Sequence, residues 1–222
     1  MSTTFRSVSG AELPDLLWHH KDPGDAPMVT QRFIPPGERT GTNKPTGGLW
    51  TSPVEKPPRN HPGLPWSAWA TWCYWEGEAD FAGKAVTEIT PLRETRFALI
   101  DSEEDAARLR AAFPAPNPFP GLPPMVLKLD LLISWQRLAA SGLAGVYLTD
   151  QGQAATRFPQ ERVAVSNGNP AQPPGGLPMT ELPVPSLYGW DCATVWFCKP
   201  AFTTGTTHPF TLPADEHEEE YS

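Results

Sequence analysis

The sequence predicts one compact α+β domain of short strands, two or three helices and long proline-rich loops. Three observations point there. The 222 residues hold 28 prolines and 18 glycines, well above ordinary usage, so long helices must be scarce. Short runs rich in β-branched and aromatic residues recur between turn signals, as strands of a compact sheet do. A hydrophobic content of 39% in a chain of this length is enough to bury a substantial core.

In chain order, residues 3–8 read as a first strand, with Arg6 beside Phe5, ended by Ser9-Gly10. Residues 21–27 are turn-rich, and 28–34 read as a strand stopped by Pro35-Pro36. A polar, flexible loop over 37–48 feeds a strand at 49–53, and the proline-rich stretch 54–65 is irregular surface or a pocket rim. Ser67 is an N-cap for a helix to about residue 75, which carries Trp69, Trp72 and Trp75 at three-residue spacing. Strands follow at 85–90 and 96–101, and Ser102 opens a helix to about 113. After a proline-rich connector over 114–124, residues 125–129 resume a strand-like run and 130–141 a helix that stops at Gly142. Residues 145–149 read as a buried strand, a short helix begins at Asp150, and 163–165 form a further strand. The proline-rich stretch 168–185 reads as a lid or a disordered insert, and 187–198 as a central strand and the last ordered element. Residues 1–202 are thus one domain, and 203–222, Thr-rich and then acidic, a solvated tail.

Charge narrows the function. With 17 basic and 25 acidic residues the formal charge is -8, which disfavours bulk binding of duplex DNA. No apolar stretch approaches the roughly 20 residues of a membrane helix, and the first residues lack signal-peptide order, so a soluble cytoplasmic protein without membrane contact is expected. Cys73, Cys192 and Cys198 show no Cys-x-x-Cys spacing and read as buried free thiols. The five histidines have no ligand spacing, and no metal is expected.

Three places can carry chemistry. In Lys44-Pro45-Thr46-Gly47-Gly48-Leu49-Trp50-Thr51-Ser52 the paired Gly47 and Gly48 let backbone approach a ligand, Lys44 can meet an anion, and Thr51 and Ser52 beside Trp50 can orient a sugar. The same residues also suit a turn into a buried strand. Asp191, after Trp190 in an aromatic run, either accepts hydrogen bonds that lock the fold, with Arg6, Lys44 or a backbone N–H group as its partner, or stabilises positive charge on a substrate while Arg6 binds a phosphate or ribose. The indole face centred on Trp72 is a core-packing stripe or a stacking surface for a nicotinamide, adenine or unpaired base. There is no Gly-x-Ser-x-Gly elbow, phosphate-binding Gly loop or dinucleotide fingerprint.

Phe5-Arg6, Trp50-Thr51-Ser52 after Gly47-Gly48, and Trp190-Asp191 together resemble the ADP-ribosyltransferase superfamily, matching its first-strand aromatic-Arg and its Ser-Thr-Ser strand. The superfamily's downstream Glu-x-Glu has no counterpart, and Asp191 takes its place. The resemblance implies two small sheets with a cleft between them that binds NAD. Arg6 would sit near a phosphate or the nicotinamide ribose, with Lys44, Gly47, Gly48, Trp50, Thr51, Ser52 and Trp72 around the cofactor. Arg6 and Asp191 would be catalytic, with Asp191 stabilising an oxocarbenium-like transition state. The implied activity is an NAD-dependent ADP-ribosyltransferase or NAD glycohydrolase, its acceptor a protein side chain, a nucleobase or water. The wider Lys-Pro-Thr-Gly-Gly-Leu-Trp-Thr-Ser and Tyr-Gly-Trp-Asp-Cys layout also resembles uncharacterised actinobacterial and phage proteins, which implies no chemistry. Two other classes compete: a non-enzymatic interaction or inhibitor protein whose acidic surface meets a basic partner, and a nucleotide or single-strand nucleic-acid binder using exposed indoles.

Overall fold

The computed structural model describes residues 4–21, 33–37, 42–59, 61–116, 132–159 and 184–213. The strands expected at 125–129 and 163–165, most of the one at 28–34 and nearly all of the 168–185 loop lie outside them. Eight strands are β1 (Ser7–Ser9), β2 (Leu16–His20), β3 (Leu49–Pro53), β4 (Ala85–Pro91), β5 (Arg96–Ile100), β6 (Gly145–Leu148), β7 (Thr194–Phe197) and β8 (Phe202–Pro209). The helices among the described residues are α1 (Ala68–Glu76), α2 (Glu103–Ala112), α3 (Trp135–Ala140) and α4 (Asp150–Thr156). Each starts at a hydroxyl residue, Ser67, Ser102, Ser134 or Thr149, whose side chain accepts an N–H of the first turn.

Where the family resemblance implies two small sheets, the strands form one eight-stranded sheet in the order β1-β5-β6-β7-β3-β2-β4-β8. Only β5 and β6 run parallel, and α2 and α3 supply the crossover that a parallel pair needs. The sheet nevertheless has two blocks. β3 pairs with β7 through Leu49, Trp50 and Thr51, then with β2 through Ser52 and Pro53 alone. That handover of two register pairs joins β1-β5-β6-β7-β3 to β2-β4-β8.

Alternation along the strands sorts the core onto opposite faces. Ala98, Ile100, Val146, Leu148 and Trp196 meet Leu109 of α2 and Trp135 and Leu138 of α3. Their chain neighbours Phe97, Val195 and Phe197 point the other way, against Leu16, Leu49 and Phe202. In the second block α1 covers Leu17 and Val86 with Ala70 and Cys73, helped by Trp66 and Phe210. The small residues of α1 therefore make its packing face, while the expected indole stripe ends in an exposed Trp75.

Three sequence expectations are corrected. β2 is a strand that the sequence reading leaves unassigned. The Thr-rich segment after Phe202 is not tail but an edge strand on β4, held by β-branched residues in extended backbone, and Phe210 beyond it is buried. In the run 187–198 only Thr194–Phe197 is strand; Gly189 at φ 96° bends the preceding residues into a turn.

Gly145 of β6 lies so close to β7 that a Cβ would collide with the Trp196 carbonyl. Gly145→Ala is expected to cost about 2 kcal/mol or more in denaturant unfolding, through displacement of the β6–β7 ladder. An unchanged midpoint would show that the two strands can separate freely.

Candidate functional site

Past Leu17 and Ser52 the register between β2 and β3 ends, and the two strands line a cavity of about 480 Å³ where the blocks part. Its walls include Trp18 and His19 of β2, Gly48 to Ser52 of β3, Phe33, Trp69, Phe81, and the turn Gly189 to Cys192 with Lys44. Ile34 and Phe81, at 67% and 61% exposure, bring apolar surface to its rim. The size and the apolar lining with a few convergent polar groups suit a small organic ligand.

The floor is a tryptophan cluster. Trp50 meets Trp190 edge to face at 4.8 Å, and Trp135 contacts both Trp190 and Trp196 at 5.6 and 5.5 Å. Each buried indole N–H of Trp190 and Trp196 donates to a carbonyl of the 43–48 segment, Asn43 O at 2.9 Å and Gly47 O at 3.1 Å. Asn43 in turn receives the Ile133 N–H and donates to Ser186 O, which ties that segment to the turn before Asp191. The paired glycines serve this contact. Gly48, at φ 69°, lies where a Cβ would strike the Trp196 indole nitrogen, so backbone approaches an indole there as closely as it would a ligand.

On the wall, the Lys44 ammonium lies 3.2 Å from Asp191 Oδ2 and 5.5 Å from the Trp50 ring centre. The pair is part-buried, with 34% and 21% of the side chains exposed, so the attraction is less screened than on an open surface. The expected Asp191–Lys44 partnership is present.

On the opposite wall, the Nδ1 of His19 is 2.9 Å from Ala82 O, which can only accept, so Nδ1 carries the proton. Nε2 must then accept, and the Ser67 hydroxyl donates to it at 2.8 Å. Ser67 receives the Ser52 O–H at 3.0 Å and the Ala70 N–H at the start of α1. One chain of hydrogen bonds thus crosses the β2–β3 handover and caps α1. Burial pushes the His19 imidazole down to about 4 from 6.5. Burial likewise holds the Cys192 thiol up at about 12, which favours its protonated form.

The structure brings Lys44, Gly48, Trp50, Thr51, Ser52 and Asp191 to one cavity. Gly47 stands behind it, holding Trp196 through its carbonyl. Trp72 backs the wall by stacking on Trp69 at 4.8 Å. Arg6 is apart from the group: it pairs with Asp105 at 3.0 Å and Asp101 at 3.8 Å, fastening β1 to α2, and does not line the cavity. Sequence reasoning missed Trp18 and His19 with β2; the apolar run Leu16-Leu17-Trp18 after Pro14 was the available signal. Among the described residues no cluster of three or more His, Cys, Asp or Glu could hold a metal, and no helix is long and apolar enough to cross a membrane. Compared with protein-family models, curated proteins and solved structures, the chain matches none, so the site is read from its own chemistry.

The neutral His19 has a pH consequence. Between pH 6.5 and about 4 the unfolded chain binds a proton that the folded protein does not, so stability must fall as pH falls through that window. Acid should remove roughly 3 kcal/mol, and His19→Gln should flatten this dependence in unfolding curves taken at several pH values. An equal slope in the variant would contradict the assignment.

Proposed function

We propose that the cavity between β2 and β3 binds the nicotinamide end of NAD and that the protein cleaves the nicotinamide–ribose bond, as an ADP-ribosyltransferase or NAD glycohydrolase. The observation that carries this reading is a carboxylate, Asp191, on the wall of an aromatic cavity whose β3 side is Trp50-Thr51-Ser52. The rings of Trp18, Trp50 and Trp69 offer faces to a planar heterocycle. The lone pairs of Thr51 and Ser52 offer acceptors to a carboxamide or sugar hydroxyl. Lys44, paired with Asp191, holds that carboxylate on the wall. Asp191 favours the positive charge that builds on the ribose as the bond breaks, in a site partly shielded from water. The acceptor of ADP-ribose is a protein side chain, a nucleobase or water. The cavity lies where the strands of the two blocks part, which supports a cleft at that place.

The engagement of Arg6 with Asp105 favours a second reading, in which the cavity binds the same ligand without cleaving it. One experiment separates the two. Purified protein with millimolar NAD should release nicotinamide, and Asp191→Asn should slow the release by about 100-fold or more with the fold intact by melting temperature. A rise in melting temperature with NAD but no nicotinamide would give the second reading. Neither release nor stabilisation would remove NAD as the ligand.

A further inference from the structure

We infer that the protein carries a second ligand site outside the cavity, a platform of Arg157, Phe158 and Tyr188 that binds an unpaired nucleobase with its adjoining phosphate. The two rings meet at 5.3 Å with a 41° tilt, so neither lies flat on the other. Both stay open to solvent, Phe158 at 43% and Tyr188 at 59% exposure, although burying such rings is favourable. The Arg157 guanidinium lies 5.7 Å from the Phe158 ring centre and 5.9 Å from that of Tyr188, within cation–π range of both. None of the three side chains lines the cavity between β2 and β3.

Backbone holds this platform in place. Arg157 follows directly on α4, its N–H donating to Gln153 O. Ser186 Oγ donates to Arg157 O at 3.0 Å and receives the Tyr188 N–H at 3.2 Å, while the Leu187 N–H donates to Thr156 O at 2.9 Å. The two segments are thus pinned together before any ligand arrives, which lowers the ordering cost of binding. An exposed ring alone would accept many apolar groups, but the guanidinium narrows the chemistry. Among the described residues Arg157 has no carboxylate partner, so its planar N–H fork remains for an anion. Such a fork matches a phosphate, and an aromatic face beside it matches a base. Nucleotides join these two groups. The formal charge of -8 opposes a long polyanion, so a single cation here suits one base and one phosphate rather than a tracked strand. A base paired in a duplex hides its faces and is excluded.

Calorimetric titration of the full chain with AMP, adenosine, a short single-stranded oligodeoxyadenylate and a DNA duplex tests the site. AMP is expected to bind several-fold more tightly than adenosine, and Tyr188→Ala to weaken AMP binding by about ten-fold, the effect of losing one stacking surface. Arg157→Gln should bring AMP down to the affinity of adenosine. Two sources of the same chemistry separate in the titrations: a free nucleotide gives AMP binding no weaker than the oligonucleotide, and a single strand gives the oligonucleotide the tighter binding. Either supports the site. No binding of AMP or of the oligonucleotide at millimolar concentration would overturn the inference. So would undiminished AMP binding by a folded Tyr188→Ala, or duplex bound as tightly as the single strand. Nicotinamide release enters none of these measurements, so this inference and the proposed reaction stand or fall separately.

Discussion

The fold and the cavity both depend on the way β3 changes partners, because it pairs with β7 only over Leu49 to Thr51 and with β2 only over Ser52 and Pro53, so neither neighbour is held along its whole length. Two register pairs are too few to hold the blocks by backbone bonding alone. The chain Ser52–Ser67–His19–Ala82 adds a polar seam at the same level, and it reaches from β3 through the cap of α1 to β2 and the turn before β4. Its members are largely buried, so each must be satisfied by the others, which makes the junction intolerant of a missing partner. Where this seam ends, the strands open and the cavity begins.

Seven of the nine tryptophans divide their labour around that opening. Trp135, Trp190 and Trp196 are buried beneath it, with Trp50 packed over them, and the indole N–H groups of Trp190 and Trp196 grip the backbone that carries Lys44. Trp18 and Trp69 form its far side, steadied by stacking on His20 and Trp72. Large rigid rings with few rotamers can hold such walls at little entropic cost. Function in this picture comes from the part of the aromatic surface that packing leaves uncovered.

Much of this was legible in the sequence. The starts of three helices were, since Ser67 and Ser102 cap as hydroxyl residues do and Asp150 opens a third, whereas the helix expected over 130–141 begins only at Trp135, after Ser134. The strands at 49–53, 85–90, 96–101 and 145–149 were too, from β-branched content. Two elements were lost for physical reasons. β2 carries His19 and His20 on both faces of a buried strand, and their polarity hides a strand that is satisfied by hydrogen bonds to Ala82, Ser67 and Thr87. β8 is Thr-rich and exposed, so it resembles tail until β4 is there to pair with it. At the site, Lys44, Trp50 and Asp191 were recognisable because a charge inside an aromatic run needs a partner. Arg6 was misplaced because its partner, Asp105, was read only as part of a helix start opened by Ser102, whereas its side chain is almost wholly buried.

The central claim is that ligand recognition occurs where β2 and β3 part. A crystal structure of the protein grown with 1-methylnicotinamide tests it most directly. The account predicts density for the ring between the walls made by Trp18 and Trp69 and by Trp50, with Asp191 beside it. Density for the ring at another place on the molecule, with the cavity filled only by solvent, would contradict it.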